Sequence, residues 1–247
     1  MKILVCVSKS PDTTSKIEFT DNNTKFKTEG VQYIVNPYDE WYALVRGLEL
    51  KEANPGSIVT TITVGGVDSE PIIRKALAIG ADGAIRIDSE PTNAYFVANQ
   101  IANYAKQEAY DLVLLGKETI DYNGAQVGSM LAELLDLPFV SLATKLDIEE
   151  NTATLERDIA GGTEIIEVNL PLVLSATKGM SEQRIPNMRG IMSARTKPLT
   201  VIDAVEQENL TSVISYSMPE AKGECTYIDP ENMDELVNLL HTQAKVI

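Results

Sequence analysis

The chain has 247 residues, 44% of them hydrophobic and 23% charged, a balance that belongs to folded globular proteins and excludes a disordered or fibrous class. That length accommodates one large α/β domain, or one domain carrying a long extension. Against 36 Asp+Glu there are 21 Lys+Arg, so the net charge of −15 repels phosphate backbones and anionic membrane surfaces, and nucleic acid is excluded as a partner.

At the amino end the apolar run Ile3 to Val7 stops after five residues, short of the roughly seven that a secretory h-region needs, and it reads as a first strand. Further apolar runs follow at Ser57 to Val64, Gly83 to Ile87, Asp111 to Leu115 and Phe139 to Leu142. Runs without polar alternation suit strands buried on both faces. Helical patterns lie between them at Asp39 to Ala53, Glu70 to Ile79, Asn93 to Gln107 and Gly124 to Leu135. Asp39 or Asn36 can cap the first of these, Gly80 with Asp82 can end the second, and Pro138 follows the last. The alternation predicts an α/β fold, an open and mostly parallel sheet with helices on both faces, whose ligand site lies beyond the carboxyl ends of the strands. No stretch approaches the ~18 apolar residues of a membrane span, so no membrane insertion is expected.

After Leu142 the pattern changes. Ala143 to Glu150, Ala153 to Asp158 and Glu164 to Val168 alternate polar and apolar residues around the turns Glu149-Glu150-Asn151 and Gly161-Gly162, the signature of antiparallel hairpins appended to the sheet. From Pro198 there is no repeating core pattern until a helical stretch at Pro230 to Lys245. The reading is one α/β domain over 1–197, with a loop at 183–197, and an arm with a final helix over 198–247 that needs a partner to dock against.

Few side chains offer catalysis. Cys6 and Cys225 match no metal or redox spacing, which suits a reducing cytoplasm. The one histidine, His241, sits near the end of the last helical pattern, where it suits the helix dipole, so neither a Ser-His-Asp triad nor a His-rich metal site is expected. Glu118 and Asp121 read as caps and solvated turns. The segment from Asp111 to Met130 is more informative: Gly116 closes a strand, and Gly124 and Gly128 bracket a helix start. Glycines there let main-chain N–H groups approach a phosphate beside a positive helix end, though the same spacing serves an ordinary βα loop. Asn36-Pro37-Tyr38-Asp39 is a second such place, either an adenine-reading turn or a capped helix start. Both fall on one edge of the sheet, and together they favour a nucleotide. The third place is Gln183 to Ile202, which has no acidic residue but carries Arg184, Arg189, Arg195 and Lys197 around Ile185, Met188, Ile191 and Met192, a composition suited either to docking an acidic partner or to a solvated loop.

In order and spacing these blocks resemble the electron-transfer flavoprotein β-subunit family. The resemblance runs from Met1 to about Lys197 and is carried by Val5-Cys6-Val7 with Pro11-Asp12-Thr13, by Asn36-Pro37-Tyr38-Asp39-Glu40 and by Ile73 to Asp82. It continues through Gly116-Lys117, Ile120-Asp121 and Gln126-Val127-Gly128, then Arg157 to Glu164, Leu170-Pro171 and Arg184 to Met192. It implies a redox carrier without its own catalytic acid, base or nucleophile. AMP would be held around Cys6, Asn36, Pro37, Tyr38, Asp39, Val64, Gly116, Lys117, Asp121, Gly124, Gln126 and Val127. FAD would sit mainly in an α subunit, with Thr13 and Tyr38 as its neighbours. In family members that bifurcate electrons a second FAD takes the AMP pocket, and that alternative stays open. The resemblance also implies acyl-CoA or other dehydrogenases as donors, a quinone reductase or other acceptor, and partner recognition through Arg184, Ile185, Met188, Arg189 and Ile191. Two departures stand out: Ser8 replaces the basic residue usual after the first strand, and the basic run after Met192 is sparse. A free-standing sensor resembling universal stress proteins is the competing reading, which the hairpins, the basic Met-containing loop and the arm oppose. A nucleotide-hydrolysing enzyme lacks a recognisable base or metal set.

Overall fold

In a computed structural model describing residues 1–247, β1 (Lys2–Cys6) sends Ile3 and Val5 into one hydrophobic cluster and Leu4 and Cys6 into another. Successive strand side chains point to opposite faces, so a strand covered on both sides is largely apolar along its length. The same double burial holds for β6 (Ile58–Val64), β7 (Gly83–Asp88) and β8 (Leu112–Gly116). Helices α1 (Asp39–Ala53) and α2 (Glu70–Ile79) cover the face that receives Ile3 and Val5; α3 (Ala94–Ala105) and α4 (Val127–Leu135) cover the other.

With β9 (Phe139–Glu149), β10 (Thr152–Ile159), β11 (Gly162–Asn169), β12 (Leu172–Ala176) and β13 (Leu199–Asp203), these strands form one nine-stranded sheet in the order β11-β10-β9-β12-β8-β1-β6-β7-β13. Pairing is parallel from β9 to β13, and β10 and β11 add an antiparallel extension. The chain runs outward from β1 through β6 to β7, then returns to place β8 on the other side of β1. The switch in direction therefore lies between β8 and β1, where open α/β sheets bind ligands at the carboxyl edge. Two small ribbons, β2 (Lys9–Pro11) with β5 (Tyr33–Val35) and β3 (Phe19–Thr20) with β4 (Lys25–Phe26), fill the connection from β1 to α1.

Several expected boundaries move. Phe139 to Leu142 and Ala143 to Glu150 are one strand, which pairs parallel with β12 and then antiparallel with β10. It shifts register near Leu142, whose φ is 59°. The sequence reading did not assign β12, an apolar run of five residues fully buried between β8 and β9. Helix α4 begins at Val127, three residues later than expected, because Asn123 and Ala125 adopt positive φ (47° and 49°), which no helix accepts. Neither Asn36 nor Asp39 caps α1: the cap position is Tyr38, without a side-chain cap bond.

The arm expected from Pro198 opens with β13, a further strand of the sheet paired with β7. Gln100 then holds Val205 through both its main-chain groups at 2.8 Å, Asn209 meets Thr92 and Asn93, and the Tyr216 ring stacks on Phe19 with centroids 4.9 Å apart. Residues 204–232 contain no helix or strand, and α6 (Met233–Leu239) buries no side chain. His241 lies exposed in the wider turn Leu240–Ala244.

Gly128 is a packing position. A Cβ there would stand 2.9 Å from Leu115 and Phe139, whereas one at Gly124 would meet nothing within 4 Å. Gly128→Val is expected to cost about 1–3 kcal/mol by overpacking α4 against the sheet, and Gly124→Ala less than about 0.5 kcal/mol; urea denaturation of both variants checks this.

Candidate functional site

The carboxyl edge at the switch point is built around the first turn of α1. A Cβ at Gly116 would lie 2.7 Å from the Glu40 main-chain nitrogen and Cγ, so glycine is required at the end of β8 for α1 to cross it. This close approach buries Asp39 and Glu40. Both Glu40 oxygens are used: Oε2 accepts from the Ser8 amide at 2.8 Å and Oε1 from the Ser8 hydroxyl at 2.7 Å. The carboxylate thereby ties the end of β1 to the start of α1 and the end of β8.

Asn36 is fully buried and acts as a second tie. Its Nδ2 donates to the Glu118 carbonyl at 2.9 Å, and its Oδ1 accepts from the Ile120 amide at 3.0 Å. The carboxamide that could have read an adenine edge instead fixes the 118–120 loop. Between Asn36 and α1, Tyr38 has φ 69° and ψ −101° and is 54% exposed. A non-glycine residue rarely adopts that conformation, and such strain gathers at ligand sites. Pro37 precedes it, half-buried. Thr13 lies exposed in the turn after β2, which pairs with the β5 strand leading into Asn36.

The loop from Lys117 to Gln126 presents Asp121, Tyr122, Gly124 and Gln126 to solvent. Its positive-φ residues bring the chain to the N-terminus of α4 at Val127, whose first amides are free of helical partners. A cleft of about 220 Å³ opens beside them, lined by Lys117, Ala125, Gly128, Ser141, Leu142 and Ser175. Lys117 pairs with Glu118 at 2.9 Å and also acts electrostatically on Asp39. Burial pushes the Asp39 carboxyl up, opposed by the Lys117 charge. Cys6 is buried on the α3/α4 face, and burial pushes its thiol up, which makes it a packing residue. Val64 ends β6 beside Gly65 and Gly66, and the buried Arg86 donates to the Gly65 carbonyl at 3.1 Å.

The sequence reading missed the Glu40–Ser8 tie and the Gly65-Gly66 turn. Paired glycines directly after an apolar strand were the available signal for the turn. Nothing local to Ser8 signalled its pairing with a residue 32 positions away.

Residues 23–207 match the family described as the electron transfer flavoprotein domain. Among curated relatives, the electron transfer flavoprotein subunit beta of Bacillus subtilis is 37% identical, with all of both chains covered. That of Syntrophomonas wolfei is 35% identical over 94% of this chain and 91% of its own. The caffeyl-CoA reductase-Etf complex subunit CarD of Acetobacterium woodii is 31% identical over 99% and 98%. The chain belongs to the electron transfer flavoprotein β-subunit family.

The family's electron-transfer role directs attention to the basic, Met-containing segment. It contains a short helix, α5 (Met188–Ala194), whose cap Asn187 accepts from the Gly190 amide at 2.8 Å. Met188 is 72% exposed and Ile185 89% exposed, with Ile191 and Met192 also exposed. The charges divide. Arg184 forms a bidentate pair with Glu52 at 2.6 and 2.8 Å, and Lys197 turns inward onto the Leu77 and Ala81 carbonyls, where burial pushes its pKa down. Arg189 and Arg195 are exposed and make no ion pair. The positive surround expected of four side chains is therefore two. No helix is long and apolar enough to cross a membrane.

Burial pushes the Glu40 carboxyl up to about 7, against the pull of the two Ser8 donors. An unfolded Glu titrates near about 4.3, so between the two values the folded chain binds the extra proton; stability falls as pH rises through that window and levels off above it. Glu40→Gln, which stays neutral, is expected to gain roughly 2–3 kcal/mol on the unmodified protein between about pH 5 and pH 8. Urea titrations of both proteins at the two pH values check the sign and the size.

Proposed function

We propose that the chain is the β subunit of a heterodimeric electron carrier of the cytoplasm. It holds an adenine nucleotide, AMP, at the carboxyl edge between β1 and β8, and pairs with an α subunit that holds most of the FAD. The observation that carries the nucleotide reading is the meeting, past the carboxyl end of β8, of an Asn36-braced loop, the Lys117 ammonium and a free helix start at Val127, with an open cleft beside Lys117 that is lined by the ends of β9 and β12. A helix N-terminus adds about half a positive charge, which suits a phosphate. Main-chain amides from Gly116 to Val127 and Lys117 would hold the phosphate. Asp121, Gln126, the Asn36–Asp39 turn, Val64 and the β1 end at Cys6 would line the rest. Gly124 is open, which fits a cradle approached by a ligand.

When bound, the flavin supplies the redox chemistry; the residues of this chain bind, orient and exclude water. Thr13 and the strained, exposed Tyr38 face the rim where the α-subunit flavin would approach. No acid, base or nucleophile is assigned. Acyl-CoA or other dehydrogenases would donate, and a quinone reductase or other acceptor would receive. The name of the Acetobacterium woodii relative, which joins Etf to a caffeyl-CoA reductase, supports redox enzymes of CoA esters as the class of partner.

The arm beyond β13 would dock on the α subunit. Leu210, Ile214, Met218 and Tyr227 are exposed along it, and α6 has no buried side chain; so much ordered apolar surface needs a cover. The Met188 surface would receive the dehydrogenase, with Arg189 and Arg195 as its basic rim.

Co-expression with the α subunit should give a yellow heterodimer, and heating it should release AMP alongside one FAD. A second equivalent of FAD in place of AMP would move the protein to the bifurcating type, and a colourless chain that takes no α partner would return it to a free-standing sensor. Gly124→Val is expected to lower the released AMP while leaving the melting temperature unchanged; full AMP content in that variant counts against the site. Truncation after Gln207, which keeps β13, is expected to abolish pairing yet preserve the far-ultraviolet circular dichroism of the sheet. Met188→Ala is expected to weaken dehydrogenase docking about tenfold, the worth of one buried Met side chain, with flavin spectrum and nucleotide content intact.

A further inference from the structure

Helix α5 buries a single residue, Ala194, yet it is fastened at both ends. On the entry side the Trp41 indole N–H donates to the Arg184 carbonyl at 3.2 Å, and Arg184 itself grips Glu52. Gly190 and Ala194, four residues apart, line the inner face. A Cβ at Gly190 would stand 2.3 Å from the Ala78 carbonyl oxygen, so α5 lies directly on the end of α2. Met188 and Met192, also four apart, line the outer face and are 72% and 68% exposed.

The exit side carries a reciprocal arrangement. Arg74, on α2, sends Nη1 to the carbonyls of Ala194 and Lys197 at 2.8 and 2.9 Å, at the carboxyl end of α5. Lys197, just beyond α5, sends Nζ to the carbonyls of Leu77 and Ala81, at the carboxyl end of α2. In α2 the amides of Gly80 and Ala81 both turn to the Ala76 carbonyl, which leaves the Leu77 carbonyl to the lysine. Each helix thus supplies the cation for the other's negative end, where a positive charge is favoured and the last carbonyls lack helical donors. Two cations crossed in this way fix distance and rotation together, because neither can move without uncapping the other helix.

We infer that Arg74 and Lys197 are positioning residues for partner docking: by cross-capping α2 and α5 they set the pose in which Met188 and Met192 meet a dehydrogenase. This rests on the docking role proposed above for Met188. The small apolar burial of α5 means that this bracing orients a surface more than it adds to the core.

The test uses the FAD-loaded heterodimer and an acyl-CoA dehydrogenase, supplied with its acyl-CoA, that reduces the unmodified protein. KM for the heterodimer and kcat are measured for Arg74→Met, Arg74→Lys, Lys197→Met and Met188→Ala. Arg74→Met and Lys197→Met are expected to raise KM by roughly fivefold or more, about 1 kcal/mol of docking energy, with kcat unmoved, and Arg74→Lys to recover part of the loss. Raised KM in Met188→Ala, with wild-type KM in folded Arg74→Met and Lys197→Met, overturns the positioning role and leaves the docking surface standing. Unchanged KM in Met188→Ala removes the docking surface, and the positioning role with it. If Arg74→Met costs the heterodimer, Lys197→Met carries the same expectation and the same overturning result; loss of the heterodimer in both makes the cations structural and also overturns the inference.

Discussion

The first turn of α1 lies across the carboxyl ends of β1 and β8, and the architecture of the functional edge follows from that contact. Gly116 admits the helix because it has no Cβ, and the approach buries Asp39 and Glu40 where the sheet reverses direction. A buried carboxylate is tolerated only with donors in place, and Ser8 supplies two. The tie makes β1, β8 and α1 one rigid corner. Asn36 then extends it by holding the 118–120 main chain, so the loop leading to α4 is braced as well.

The anion site proposed at that corner lies in an acidic protein. At the corner Lys117 is outnumbered by Asp39, Glu40, Glu118 and Asp121, and side-chain charge alone would repel phosphate. Burial raises the pKa of Glu40 to about 7, which reduces the negative charge at the edge. The attraction then falls to main-chain amides and the start of α4, whose dipoles are fixed by the fold. The proposed site depends on backbone geometry, and the positive-φ residues Asn123 and Ala125 stand immediately before the helix.

The basic segment shows a similar division between charge that is counted and charge that is available. Of its four cations, Arg184 and Lys197 are engaged with Glu52 and with the end of α2, and they hold the segment in place. Only Arg189 and Arg195 remain to steer a partner, beside apolar side chains that the short helix turns outward. Local composition identified the patch, but partners far away in the chain decided what each charge does.

The alternation of apolar runs with amphipathic stretches was enough to specify a parallel α/β sheet with helices on both faces, because double burial requires largely apolar strands. Motif order also pointed to the family. The short ribbons β2 to β5 and two strands of the large sheet escaped that reading. β12 is a short run after the hairpins with no helix of its own, and β13 is a half-exposed edge strand, so neither carries a strong periodic signal. The glycines and the Asn36 turn marked the edge proposed for the nucleotide, but their structural roles were not legible: Gly116 and Gly128 are glycine to let helices approach, and Asn36 braces a loop. The Glu40–Ser8 tie, the paired fate of Arg184 and the crossed caps of Arg74 and Lys197 join residues from 32 to 132 positions apart. Local patterning records which face of an element is buried; only the folded chain decides which distant polar groups meet there, because each must find a partner once water is excluded.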